Sequence, residues 1–177
     1  MLSPNDIKSF VNTLMPTGVD LITLHWTVGT YAQTFDDAYH FQILGDGSVH
    51  VDSRAFRDFR HLYFCEFEPL AHAWHHNTGN LGISLCGMYG AVNSGEGSKD
   101  LISWPSSYGK YPPTQAQIIT LCKLTAELAN HYKLDPDNNI KTHYQLAEED
   151  GYPGERWEFQ YERSLLIKKI KEEMSNA

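Results

Sequence analysis

Cysteine is scarce in this chain and poorly arranged for bonding: Cys65, Cys86 and Cys122 are widely spaced and form no CxxC pair. An odd, scattered set argues against a disulfide framework and against a thiolate metal site, so all three are expected in the core. Basic residues are also few, with 14 Lys and Arg against 22 Asp and Glu and a formal net charge of -8. That balance excludes nonspecific nucleic-acid binding, which needs a clustered basic surface to displace counterions from phosphates. It gives no attraction to anionic membranes either. No apolar run approaches the roughly 18 residues of a membrane span, and the opening MLSPNDIKSF lacks the basic flank and apolar stretch of a signal peptide. The expectation is a chain made in the cytoplasm, without nucleic-acid or membrane partners.

What remains is ordinary globular composition: 177 residues, 41% hydrophobic, 20% charged and 12% aromatic. That length suits one domain spanning residues 1–177, with no separate binding module. Histidine is in mild excess at nine. Five of these fall in two clusters, His40 with His50, and His72 with His75 and His76.

Ser3, Pro4 and Asp6 read as the start of a helix over residues 4–14, with Ile7, Phe10, Val11 and Leu14 at helical spacing. Residues 19–25 alternate and branch as a strand does, and His25 ends it. Strands over 39–44 and 48–52 flank Gly45, Asp46 and Gly47, a hairpin signature. A central strand is expected over 81–88 and a long Gly, Ser and Pro-rich loop over 90–111. Thr114 and Gln117 form a capping box ahead of a helix running to Tyr132. A short strand over 140–143 ends at His143, followed by a turn-rich loop over 144–155 and a last amphipathic helix over 159–174. This order predicts an α/β fold with a central mixed sheet flanked by helices.

His25 in LITLHWT and His143 in NIKTHYQ each end a short β-branched run. Strand ends can hold an imidazole to the tolerance of about 0.5 Å that a metal or catalytic site requires. The alternative reading is that each caps a buried strand. A catalytic zinc takes three protein ligands and leaves a fourth position for water, so a third ligand is needed. Spacing alone does not choose among Glu148, Glu149, Asp150, Glu155 and Glu158.

The ordered segments LHWT, AYHFQILGDGSVHVD, AHAWHHNTGNLGISLCG, YPPTQAQ and KTHYQ resemble the type 2 N-acetylmuramoyl-L-alanine amidases, a family that includes phage endolysins and peptidoglycan recognition proteins. The resemblance covers roughly residues 20–160 and is carried by the order of the motifs. It implies zinc as cofactor, with His25 and His143 as metal ligands and Glu158 as the third. Tyr39 matches the tyrosine that faces the reacting carbonyl, and Arg156 stands where a basic residue is usual; both would be catalytic. His72, Trp74 and Asn77 would line the substrate groove, with Trp74 as a stacking surface. His75 and His76 have no family role and are expected to be exposed.

The resemblance further implies hydrolysis of the amide between the lactyl group of N-acetylmuramic acid and L-alanine, with peptidoglycan or a muropeptide as substrate and a monomeric enzyme. The first reading is an amidase, either a phage or prophage endolysin acting on the wall after release, which is favoured, or a cytosolic wall-recycling enzyme. The second is a non-catalytic peptidoglycan-binding module of the same fold, and the third an amidase or protease acting on another amide. Three departures from the family pattern bear on this. The stretch between His25 and Tyr39 is short, which opens one wall of the groove. Glu158 replaces the usual Asp or Cys, so Asp150 is a rival ligand. Ser84 stands where some relatives carry a glutamate, which leaves the proton acceptor open among the activated water, Tyr39 and another carboxylate.

Overall fold

The alternating apolar residues of the strand segments find their partners in a five-stranded mixed sheet, seen in a computed structural model that describes residues 1–57, 66–67, 72–73 and 75–176. In chain order the elements are α1 (Ile7–Val11), β1 (Leu21–Trp26), β2 (Phe41–Ile43), β3 (Val49–Val51), β4 (Phe56–Arg57), β5 (Glu66–Phe67) and β6 (Asn80–Leu85). There follow α2 (Gln115–Tyr132), α3 (Pro136–Asn139), β7 (Ile140–Thr142), α4 (His143–Glu149) and α5 (Arg163–Asn176). The sheet order is β3-β2-β6-β1-β7, with β4 and β5 forming a separate antiparallel pair. Among the described strands of the main sheet, β2 and β3 pair antiparallel, whereas β2–β6, β6–β1 and β1–β7 are parallel.

Pleating sorts this sheet into two chemically different faces. Ile22, Leu24 and Trp26 of β1 share a face with Leu81, Ile83 and Leu85 of β6 and with Phe41 and Ile43 of β2, as the register requires. They join Ile118, Leu121 and Leu128 of α2 and Leu166 and Ile170 of α5 in one buried apolar cluster. The opposite face carries Thr23, His25, Gln42, Asn80 and Ser84, all buried and polar. A buried polar face needs internal hydrogen bonds, and its first is Thr23 Oγ1 donating to Asn80 Oδ1 at 2.9 Å.

The expected hairpin forms at residues 44–48, where Leu44 N–H donates to Ser48 O and Gly47 takes a positive φ of 85°. The expected capping box at Thr114 and Gln117 is present. Gln117 does more: its Nε2 donates to both Ile43 O and Cys86 O at 2.8 Å, tying the start of α2 to β2 and to the end of β6. Cys86 and Cys122 are buried and unbonded to each other. Cys65 and Trp74 lie outside the described residues.

Three helix starts are among the departures from the sequence reading. The first helix begins at Ile7 rather than at residue 4, because the Ser3 hydroxyl donates to the Asp6 carboxylate instead of capping a backbone amide. His143 does not end a strand: it is the first residue of α4, a helix where a loop was expected. Thr142 and Gln145 form a second capping box there, a T-x-x-Q pattern plain in KTHYQ. The last helix begins at Arg163 rather than 159, because Phe159 takes a left-handed φ of 55° that no helix continues through.

The long loop is anchored from below by Glu162, whose Oε1 accepts from Ser98 N–H at 2.7 Å and from the Tyr108 hydroxyl at 2.5 Å. Burial raises the Glu162 carboxyl above the ordinary carboxylate range, although both hydrogen bonds oppose the shift. A raised native value means this group's stabilisation is full below the unfolded pKa and is lost as pH rises through the native one. Glu162→Gln is therefore expected to gain stability relative to the parent between pH 4 and pH 8, as read by urea unfolding across that range. Separately, Thr142→Ala removes the α4 cap and should cost about 1 kcal/mol in the same assay, with Thr142→Ser restoring most of it.

Candidate metal centre

Parallel register brings the two histidines together. Leu24 pairs with Thr142 across β1 and β7, so His25 and His143, one residue further on each chain segment, stand side by side at the carboxyl ends of adjacent strands. In open α/β sheets this end is where ligands bind. His25 Nδ1 and His143 Nδ1 are 3.1 Å apart although 118 residues separate them in sequence. Glu158 Oε1 lies 3.0 Å from His143 Nδ1.

Glu158 reaches the site because its neighbours are pinned on the far side of the sheet. Trp26, next to His25 but facing the apolar core, packs edge-on against Trp157 at 4.8 Å and against Phe159 at 5.1 Å between ring centroids. Trp157 and Phe159 thus hold the chain on both sides of Glu158 to the underside of β1. The left-handed turn at Phe159 is the backbone consequence.

His25, His143 and Glu158 each offer one ligand atom, and all three atoms fall within 4.8 Å of one another. The hydrogen-bond pattern shows which atoms carry lone pairs. His72 Nε2 lies 2.9 Å from the Asn80 carbonyl, which only accepts, so that nitrogen bears the proton. Burial lowers the His72 pKa to about 4, so the ring is neutral near pH 7 and its Nδ1 is an acceptor. That Nδ1 sits 3.1 Å from His25 Nε2, which therefore donates. Burial also takes the His25 pKa well below its ordinary value, with His72, His143, Arg156 and His40 adding to the effect. The lone pair of neutral His25 is then on Nδ1, directed at His143 and the centre.

These donors fit a divalent transition ion. Tetrahedral ligands at about 2.0–2.1 Å from zinc stand roughly 3.3–3.4 Å apart, close to the 3.1 Å and 3.0 Å that separate His143 Nδ1 from His25 Nδ1 and from Glu158 Oε1. Two imidazole nitrogens and a carboxylate also form a ligand set that zinc accepts. Asp150, the rival, is outside this group: its Oδ1 accepts from His76 Nε2 at 2.9 Å at the end of α4. His76 is thereby half-buried rather than exposed, whereas His75 is exposed as expected.

A cavity of about 430 Å³ opens beside the centre. Leu146 and Ala147 of α4 give it an apolar wall, while His143, Asn77, Asp150 and Arg156 supply polar groups. Arg156 is exposed. Asn77 Oδ1 is committed to its own loop, accepting from the backbone N–H of His72 at 3.1 Å and of Ala73 at 2.8 Å. His72 touches the cavity but is only 6% exposed, and both ring nitrogens are engaged. Tyr39 packs against the His25 ring at 5.1 Å between centroids. Burial and the Glu158 carboxylate push its phenol up to about 12, against the opposing pull of Arg156 and the Ser84 hydroxyl. The phenol is thus a neutral donor at any physiological pH. Ser84, level with His25 across β1 and β6, is fully buried without a well-formed hydrogen bond among the described residues.

The α/β sheet thus gathers two imidazoles and a carboxylate at its parallel strand ends, a group that could hold a metal ion. The sequence model of the family described as N-acetylmuramoyl-L-alanine amidase (Amidase_2) matches residues 15–155, and the chain belongs to that family. The match takes in Tyr39 and both histidines and ends just before Arg156 and Glu158. Among solved structures, PlyL shares the fold at a TM-score of 0.52, with 11% identity over 92% of this chain and 91% of that one. The endolysin N-acetylmuramoyl-L-alanine amidase LysCS from Clostridium intestinale URNW gives 0.48 at 20% identity, over 74% and 72% of the two chains. The Ph2119 endolysin of Thermus scotoductus MAT2119 bacteriophage Ph2119 gives 0.48 at 17% identity, over 89% and 88%. Comparison with curated protein sequences finds no match.

The geometry separates the two acids by a metal-binding measurement. Glu158→Ala is expected to reduce zinc content, read by elemental analysis after dialysis, far below one per chain. Asp150→Ala should leave it near that of the parent; the reverse pattern would assign the third ligand to Asp150.

Proposed function

We propose that this protein is a zinc-dependent N-acetylmuramoyl-L-alanine amidase cutting the amide between the lactyl group of N-acetylmuramic acid and L-alanine. The observation that carries the reading is the convergence of His25 Nδ1, His143 Nδ1 and Glu158 Oε1 beside a cavity that His143 helps to line, in a chain of this family. His25, His143 and Glu158 would hold the ion. When bound, it supplies Lewis acidity, activating water and polarising the scissile carbonyl.

The remaining work falls to the chain's own side chains. Attack on an amide builds negative charge on the former carbonyl oxygen, and preorganised donors are worth most there in a site with little water. Tyr39 is suited to this role because its phenol keeps its proton and is held by packing against His25. Arg156 brings a permanent positive charge to the cavity wall, close enough to influence both His25 and Tyr39. Leu146 and Ala147 offer an apolar surface that would suit the alanine methyl, and Asn77 lies on the same wall. As part of the same proposal, the enzyme is an endolysin acting on intact wall rather than on soluble muropeptides, and it works as a monomer.

Digestion of purified sacculi and of soluble muropeptides, followed by mass spectrometry of the new ends, tests these statements together. Release of free L-alanine amino termini from sacculi, abolished by a chelator and restored by zinc, is the expected outcome. Tyr39→Phe should lower kcat by about 10²-fold with zinc content unchanged, the size of losing one oxyanion donor. Wall binding without any new alanine ends would instead establish the non-catalytic alternative, and cleavage confined to soluble muropeptides would establish the recycling one.

A further inference from the structure

His72 has neither nitrogen available to a substrate, and the surrounding structure is built to keep it so. Its ring lies over β6 at Gly82, where a Cβ would come within 2.7 Å of His72 Cγ and 2.9 Å of Nδ1. Only a residue without a side chain leaves that seat open. The His40 ring packs edge-on against His72 at 5.4 Å between centroids, while His40 Nδ1 accepts the Gly82 N–H at 2.9 Å. Asn77 caps the backbone of residues 72 and 73. Asn80, whose carbonyl receives the His72 proton, is itself fixed: its side chain accepts from Thr23 and donates to His76 O at 2.7 Å.

We propose that His72 is a positioning residue that holds His25 with its proton on Nε2 and its lone pair on Nδ1, facing the metal position. The chain of donors runs from His25 Nε2–H to His72 Nδ1, and from His72 Nε2–H to Asn80 O. The backbone carbonyl at its end sets the direction of the whole chain, because it cannot donate. Which nitrogen of a ligating histidine binds a metal is decided by the bond that the other nitrogen makes. Without His72, the His25 ring can rotate or carry its proton on Nδ1, and neither state presents the lone pair. This inference rests on the reading of His25 as a metal ligand. It gives His72 a role beyond the place at the groove wall that the family resemblance implied.

The test compares the parent with His72→Leu, His72→Asn and Gly82→Ala by zinc affinity in chelator competition, alongside long-range ¹H–¹⁵N correlation spectra of the histidine rings. Leucine fills the space without an acceptor and is expected to weaken zinc binding by about 10–100-fold, as losses of such supporting bonds do. Asparagine can set its carbonyl oxygen where Nδ1 stood and should retain most of the affinity. Gly82→Ala, which displaces the ring, should behave like the leucine variant. In the metal-free parent, His25 should carry its proton on Nε2. The proposal is overturned if His72→Leu folds and binds zinc as tightly as the parent, or if metal-free His25 carries its proton on Nδ1. Should the leucine variant fail to fold, that tautomer and the affinity of His72→Asn decide the matter. A parent that binds no zinc defeats the metal-centre reading itself, a different result from equal affinities in parent and variant.

Discussion

The pleat of β1 at His25 and Trp26 is the constraint on which the site depends. Adjacent residues of a strand face opposite sides of a sheet, so one position places an imidazole in the polar layer and the next an indole in the core. The indole then gathers Trp157 and Phe159 from a segment more than a hundred residues away. Apolar burial, which has no direction of its own, becomes directional here. Two aromatic anchors flank a single acid, and Glu158 has nowhere to point except across the strand end toward the histidines.

The same division of faces explains why so much polar chemistry is tolerated inside a small protein. Thr23, His25, Gln42, Asn80 and Ser84 would be costly if buried singly. They are buried together, and most donors find acceptors within the layer or in the loops above it: Gln42, for example, bridges the backbone N–H and carbonyl of Phe35. Within this cover His72, Ala73, His76 and Asn77 are tied by hydrogen bonds to one another, to His25 and to Asn80. This loop links the strand carrying the first histidine to α4 through the His76 and Asp150 pair. The cavity therefore has one wall set by loop hydrogen bonds and another set by a capped helix.

Neutrality of the buried histidines is central to this arrangement. Charged imidazoles so close together would repel one another and the nearby guanidinium, and burial removes the water that could screen them. Keeping His25 and His72 unprotonated turns a repulsive cluster into a chain of single donors and acceptors. A hydrogen-bond chain anchored on a backbone carbonyl has one consistent direction, and it delivers a lone pair to the position where a cation would sit.

Much of this was legible in the chain itself. The glycine hairpin, the Thr114 and Gln117 capping box and the apolar periodicities fixed the mixed sheet with its helices, because each is a short-range signal with a local cause. His25, His143, Tyr39 and Glu158 could be named from ordered motifs, and a T-x-x-Q cap in KTHYQ announced a helix that the loop reading of residues 144–155 overlooked. Other features had no local signal. That His72 backs His25, that Glu158 rather than Asp150 stands beside His143, and that His76 pairs with Asp150 depend on strand register and aromatic packing between distant segments. Sequence determined which residues could do the chemistry and the order in which they come along the chain. Tertiary structure alone decided which nitrogen faces which neighbour, because lone-pair direction follows from hydrogen bonds that close only when remote parts of the chain meet.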